Sequence, residues 1–176
     1  MSTLKVGTIQ DHANSNTALT IASDGTLLAA QNKIVHWKIV PNGDDNHASG
    51  SWTQVNTDHA IHDSHSLHSG NNIVITAATA GLYHLTGHIR AGNRECNRFI
   101  VGIYQGGTGN TVLGQTETVG SNRTGVYQCA EVNFLYRVTS GMSLGMYVYH
   151  DYGSDIGIKG STSGHESWFS GYRISA

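Results

Sequence analysis

No stretch of ten or more residues in this chain repeats apolar side chains at a helical period, and that absence constrains the fold more than any motif does. Short runs rich in Val, Ile, Tyr and Thr recur instead, divided by clusters of Gly, Asn, Asp and Ser. Ile34–Val40 stops at the turn formers Pro41-Asn42-Gly43-Asp44-Asp45-Asn46. Ser51–Val55 is short and extended. Asn72–Thr76, Leu82–Ile89 and Arg98–Tyr104 follow, the last running into Gln105-Gly106-Gly107-Thr108-Gly109-Asn110. Val112–Val119 is weaker, Val126–Val138 long and alternating, and Ser143–His150, Ile156–Gly160 and Trp168–Ile174 close the chain. About eight to ten strands in roughly 140 residues is the spacing of an all-β antiparallel sandwich. Gly102, Gly145 and Gly157 fall inside strands, which predicts bulges or close backbone approach.

Composition supports this and excludes other classes. Only 12% of the 176 residues are charged and the net charge is −2, so polarity comes from Ser, Thr, Asn, Gly and His rather than from ions. That balance argues against disorder. No Lys/Arg run exists, so no nucleic-acid partner is expected. No apolar run reaches the length of a membrane span. The N-terminus, Met1 to Thr8, holds no signal-peptide apolar region, so the protein is expected to stay in the compartment of its synthesis unless released by lysis. Cys96 and Cys129 form no C-x-x-C pattern. They read as two buried free thiols in facing strands, with a disulfide as the alternative.

Residues 1–35 differ from residues 36–176. Two thin apolar pieces, Leu4-Lys5-Val6 to Ile9 and Ala18-Leu19-Thr20-Ile21, flank a polar stretch, and a hairpin signal, Asp24-Gly25, precedes Leu27-Leu28. Too few large apolar residues are present to bury a core. Leu4, Val6, Ile9, Leu19 and Ile21 are therefore assigned to an extended arm that gains order by packing on copies of itself or on another protein, against the alternative of an edge strand tucked onto the domain.

Three pieces in residues 50–176 resemble the C1q/TNF-like jelly-roll family: Ala80-Gly81-Leu82-Tyr83-His84-Leu85-Thr86, Ser140-Gly141-Met142-Ser143-Leu144, and Ser167-Trp168-Phe169-Ser170-Gly171-Tyr172-Arg173-Ile174. Each is weak alone; their order and spacing together carry the resemblance. One departure is Met142, where the family usually has Asp after the Gly. The resemblance implies a jelly roll over 36–176 and a homotrimer. The arm, Met1 to Asp11 with Ala18 to Thr26, resembles the N-terminal segment of structural proteins of tailed phages, especially those of marine bacteria. That implies a virion-surface protein made in the host cytoplasm, held to capsid or tail proteins through the arm, as a capsid decoration (cement) protein or a short fibre knob. A closed ring of copies is one way to cover apolar outer strands.

Candidate chemistry is sparse. His59, His62, His65 and His68 recur every third residue, a spacing that would stack rings on one edge of a 3₁₀ or polyproline stretch and hold Zn or Ni. No matching Cys or Glu pattern accompanies them, so hydrogen-bonded loop histidines are the stronger reading and a pH-sensitive interface a third. No G-x-S-x-G or H-E-x-x-H motif exists, and the neighbours His165 and Glu166 would point to opposite strand faces. A metal-dependent hydrolase is the weakest alternative; no catalytic residue and no cofactor are expected. The glycine-rich stretch after Tyr104 lacks the Lys of a phosphate loop and reads as a hairpin. If a host-surface glycan is bound, Tyr149-His150-Asp151-Tyr152 is the candidate loop, and a free receptor- or carbohydrate-binding module is the alternative function.

Overall fold

A computed structural model describes residues 8–10, 17–21, 27–29, 34–106 and 111–176. All regular elements among the described residues are strands. They divide into two compact units, Met1–Ile34 and Val35–Ala176.

In the first unit, β1 (Thr8–Gln10), β2 (Thr17–Ile21) and β3 (Leu27–Ala29) form an antiparallel sheet in that order. Ile9 lies opposite Leu19, and Ile21 opposite Leu27, so β2 and β3 bracket the Asp24-Gly25 pair. The described residues of the arm thus pair with one another through their backbones. Leu4 and Val6 lie outside the described residues.

The second unit holds β4 (His36–Val40), β5 (Asp45–His47), β6 (Thr53–Gln54), β7 (His59–Asp63), β8 (His68–Ser69), β9 (Asn72–Val74), β10 (Gly81–Arg90), β11 (Arg98–Gln105), β12 (Thr111–Val119), β13 (Cys129–Val138), β14 (Ser143–His150), β15 (Ile156–Ile158) and β16 (Trp168–Ser175). One sheet runs β13-β10-β16-β4-β7, the other β12-β11-β14-β9-β8 with β6 also on β14, and a ribbon pairs β15 with β5. The first and last strands, β4 and β16, are neighbours (Gly171 opposite Trp37), so the chain closes on itself as a jelly roll does.

Alternation builds the core. Tyr83, Leu85 and Ile89 of β10 and Phe169 of β16 point inward, against Phe99, Val101 and Ile103 of β11 and Leu144, Met146 and Val148 of β14. The three sequence pieces each contribute to this architecture in a different way. A Cβ on Gly171 would collide with the Trp37 ring, so the glycine makes room for the largest core side chain. The Tyr83 hydroxyl donates to the Thr79 carbonyl at the start of the strand, and burial pushes its pKa up to about 12. Gly81, at φ 154°, has its α-carbon against the backbone of Ser175. Gly141, at φ 87°, turns β13 into β14, and the Met142 sulfur accepts the Thr139 N–H at 3.3 Å, so a thioether closes the turn where the resembling family carries a carboxylate.

Three strands were not legible in the sequence: β5, inside the turn cluster after Pro41; β7; and β8. Strand β13 begins at Cys129 rather than at Val126. The thiols also depart from the expectation. Both are free, but Cys129 is exposed and Cys96 is buried in the connection between β10 and β11 rather than in a strand. Burial pushes the Cys96 thiol up to about 12.

Candidate functional site

The histidine row does not gather into a ligand set. His59 and His62 belong to β7, which hydrogen-bonds β4 across a β-bulge, with His62 opposite Lys38 and His59 opposite Val40, so edge pairing replaces the three-residue winding. His65 bonds the Ser64 hydroxyl at 2.7 Å, and His68 Nε2 lies 2.9 Å from the Thr57 carbonyl. Among the described residues no group of three or more His, Cys, Asp or Glu side chains is placed to hold a metal.

The Tyr149–Tyr152 segment separates as well. His150 is fully buried and its Nε2 lies 2.9 Å from the His47 carbonyl. Asp151 accepts the Arg98 N–H at 2.8 Å, and Tyr152 carries the Arg94 guanidinium over its ring. Tyr149 lines an open concave surface.

The arrangement nearest to an acid–base relay is Asp45–His47–Thr53. His47 Nδ1 lies 2.6 Å from Thr53 Oγ1, and its Nε2 lies 3.0 Å from Asp45. The second contact has the length of an ion pair but not the angle of a hydrogen bond. His47 is 3% exposed, and burial, only partly offset by Asp45, holds its pKa below the usual histidine value. A base in such a relay is oriented by a hydrogen bond to its third member, and His47 Nε2 makes none to Asp45. His165 bonds Ser163 while Glu166 pairs with Arg90, so these two neighbours do serve different partners.

Two outer faces remain, and neither was read from the sequence. The first is the outward side of β13-β10-β16-β4-β7. Cross-strand partners share a face, so the register places Leu135, His84, Tyr172 and His36 in one row across the sheet. Asn133, Thr86, Ser170, Lys38 and His62 make the next, and Glu131, His88 and Trp168 the third. Leu135 is 57% and Tyr172 48% exposed. His84 leans on Tyr172 with ring centres 5.2 Å apart, and His88 stacks on Trp168 at 4.1 Å and 12°. Desolvation beneath that stack lowers the His88 pKa, against the opposing pull of Glu131. The signal was available in β10, whose alternation Leu82, His84, Thr86, His88 against Tyr83, Leu85, Gly87, Ile89 puts rings and an aliphatic chain on the outer side.

The second face lies on β12-β11-β14, where Trp52, Arg98, Ile100, Tyr104, Val112, Gln115 and Tyr149 line a groove of about 300 Å³. Trp52 sits 5.2 Å from Tyr104 and 5.7 Å from Tyr149, ring centre to ring centre. Tyr104 lies 4.8 Å from Tyr147 on the same face. Gly102 and Gly145 floor this cluster: a Cβ at 102 would meet the Tyr104 ring at 2.5 Å, and one at 145 the Gln54 amide at 2.6 Å. Where bulges or close backbone approach were expected, side chains come close at Gly102 and Gly145; at Gly157 the nearest atom is at ordinary contact distance, 3.5 Å.

Comparison with solved structures places this architecture. The chain is similar to murine APRIL at pH 5.0, with TM-score 0.61 and 12% identity over 81% of this chain and 100% of that one. It is similar to the Eiger TNF of S. frugiperda (TM-score 0.63, 10% identity, 81% and 93% covered) and to the globular domain of zebrafish complement 1qA (0.54, 10%, 80% and 97%). The fold is thus an all-β, TNF/C1q-type jelly roll. No family model and no curated protein matches the chain.

Proposed function

We propose that the chain is a homotrimeric, non-catalytic structural protein of a tailed-phage particle, a capsid decoration protein or short fibre knob, attached to capsid or tail proteins through residues 1–35. The observation that carries self-association is the open face of β13-β10-β16-β4-β7. It is a sheet face on which Leu135 and Tyr172 are exposed and His84 and Trp168 turn outward. Copies of the chain bury such a face by closed symmetry. The similarity to TNF and C1q-type domains supports the same geometry, and the resemblance of the arm to phage structural proteins supports the location. An interface of ordinary size removes about 800 Å² per partner, which one outer sheet face can supply.

Native mass spectrometry tests the assembly. The chain is expected at three times its 18.8 kDa mass, and the double change Leu135→Arg, Tyr172→Glu is expected to leave a folded monomer with unchanged far-UV circular dichroism. A wild-type monomer at micromolar concentration sinks the trimer. Quantifying the protein in purified particles tests the location: copies in multiples of three support it, and a chain found only free in infected-cell extract does not. A free carbohydrate-binding module is the second reading, favoured by the groove around Trp52. No observation on the chain favours a metal-dependent hydrolase.

A further inference from the structure

We infer that the groove on β12-β11-β14 is a binding site for an uncharged pyranose oligosaccharide, with the Trp52 and Tyr149 rings as its stacking surfaces and the Gln115 amide at its rim.

The groove differs from a chance cleft in how it is built. Tyrosines pointing outward from a sheet ordinarily stand up from it. Here two strand glycines, Gly102 and Gly145, leave the sheet bare where a neighbouring ring or amide lies. Tyr104 folds flat over Gly102, and the amide of Gln54, bonded to Asn72 Oδ1 at 2.9 Å, lies over Gly145. Trp52, 38% exposed, rises beside this floor from the turn before β6 and leans toward both Tyr104 and Tyr149. The result is a concave aromatic surface whose volume, about 300 Å³, falls at the lower end of small-ligand sites.

Charge selects the ligand class. Arg98 is the groove's cationic group, and Glu117 answers it: Nε donates to one carboxylate oxygen at 2.8 Å and Nη2 to the other at 3.3 Å. The guanidinium also stands over the Tyr149 ring, 5.5 Å from its centre. A paired guanidinium offers no net charge to an anion, so an acidic ligand gains nothing here that it does not lose in dehydration. An indole N–H, a phenol and a primary amide are neutral donors and acceptors beside apolar ring faces. A pyranose matches that set, with its axial C–H face for the rings and its hydroxyl edge for the amides. A flat apolar partner would leave those polar groups unpaired.

This inference does not rest on the trimer or the virion, because the groove belongs to the other sheet. The test is isothermal titration calorimetry of the full chain against neutral trisaccharides (maltotriose, cellotriose and a β-galactotriose), with sialyllactose, a trigalacturonate and a Trp-containing tripeptide as comparisons. At least one neutral trisaccharide is expected to bind, and Trp52→Ala to weaken it about tenfold or more, the scale of losing one stacked ring. Gly102→Ala, which lifts Tyr104, is expected to weaken it about fivefold with melting nearly unchanged. Absence of heat with every neutral sugar overturns the site. So does preference for the acidic sugars or the tripeptide, or binding that survives Trp52→Ala. Native mass spectrometry of the wild type is run alongside: sugar binding by a wild-type monomer keeps the groove while removing the trimer, and a wild-type trimer without binding does the reverse.

Discussion

Strand β16 of one sheet and strands β11 and β14 of the other use glycine in opposite directions. In β16 the glycine faces inward: Gly171 lies under the Trp37 indole. In β11 and β14 Gly102 and Gly145 face outward, beneath Tyr104 and Gln54. An inward glycine enlarges the core and serves the fold. An outward glycine lets a ring or an amide lie down and shapes the surface. The sheet that carries Gly171 keeps a broad outer face of standing side chains, Leu135, His84, Tyr172 and Trp168. The other has a groove. The same residue type inside a strand thus serves core packing in β16 and shapes an outer surface in β11 and β14.

Gly171→Val breaks the comparison on its structural side and is expected to have the largest effect. The new methyls meet the Trp37 ring, which is 2% exposed and has nowhere to go. Overpacking of this kind costs about 3 kcal/mol, and chemical denaturation should show the midpoint falling with the slope unchanged. Tyr83→Phe comes next. It removes the hydroxyl from the Thr79 carbonyl and leaves that acceptor buried, at about 1–2 kcal/mol by the same measurement. Gly102→Ala is expected to cost less than about 1 kcal/mol, because the Tyr104 ring yields toward solvent and alanine restricts the unfolded chain more than glycine does. If Gly102→Ala destabilises as much as Gly171→Val, the outward glycine is structural and the contrast between the sheets fails.

How far the sequence alone carried depended on where the information lies. Long strands with strict alternation were legible because one face is buried: β10 alternates at every position from Gly81 to Arg90. The short edge strand β7 was not, because its backbone pairing with β4 is imposed from across the fold while its own side chains, His59 to Asp63, do not alternate between apolar and polar. For the same reason the histidine repeat suggested a winding that edge pairing overrides. Strand β5 was hidden among turn formers, since Asp45, Asn46 and His47 are extended only by pairing with Ile158, Gly157 and Ile156 over a hundred residues away. The groove was half legible. Gly102 and Gly145 signalled close approach, but which side chains approach is set by the register of β11 on β14, Gly102 opposite Tyr147 and Tyr104 opposite Gly145. Trp52 was legible only as an aromatic, because it arrives from a turn.

The smallest effect sharpens the comparison through pH. His47, beside the β14 end of the groove-bearing sheet, and His88, on the open face of the other, both have pKa values held below 6.5, in each case chiefly by burial. The folded chain therefore binds fewer protons than the unfolded chain as the pH falls through about 6.5, and stability declines from there until the folded histidines themselves titrate. Above about pH 7 neither contributes a slope. Carboxylates act in a separate window: Asp44, lowered chiefly by its bond to Lys159, matters only near and below about pH 4. Urea unfolding between pH 7.5 and 5 should show the decline, and His47→Gln and His88→Gln should each flatten part of it. The two differ in what assembly does to them. A partner copy seated on the open face buries His88 further and leaves His47 as it is. In the wild type the His88 share of the slope is then steeper than in the Leu135→Arg, Tyr172→Glu monomer, while the His47 share is equal in both. Equal His88 shares would mean that the open face stays wet, and the face carrying Leu135 and Tyr172 would not be the one that copies of this chain cover.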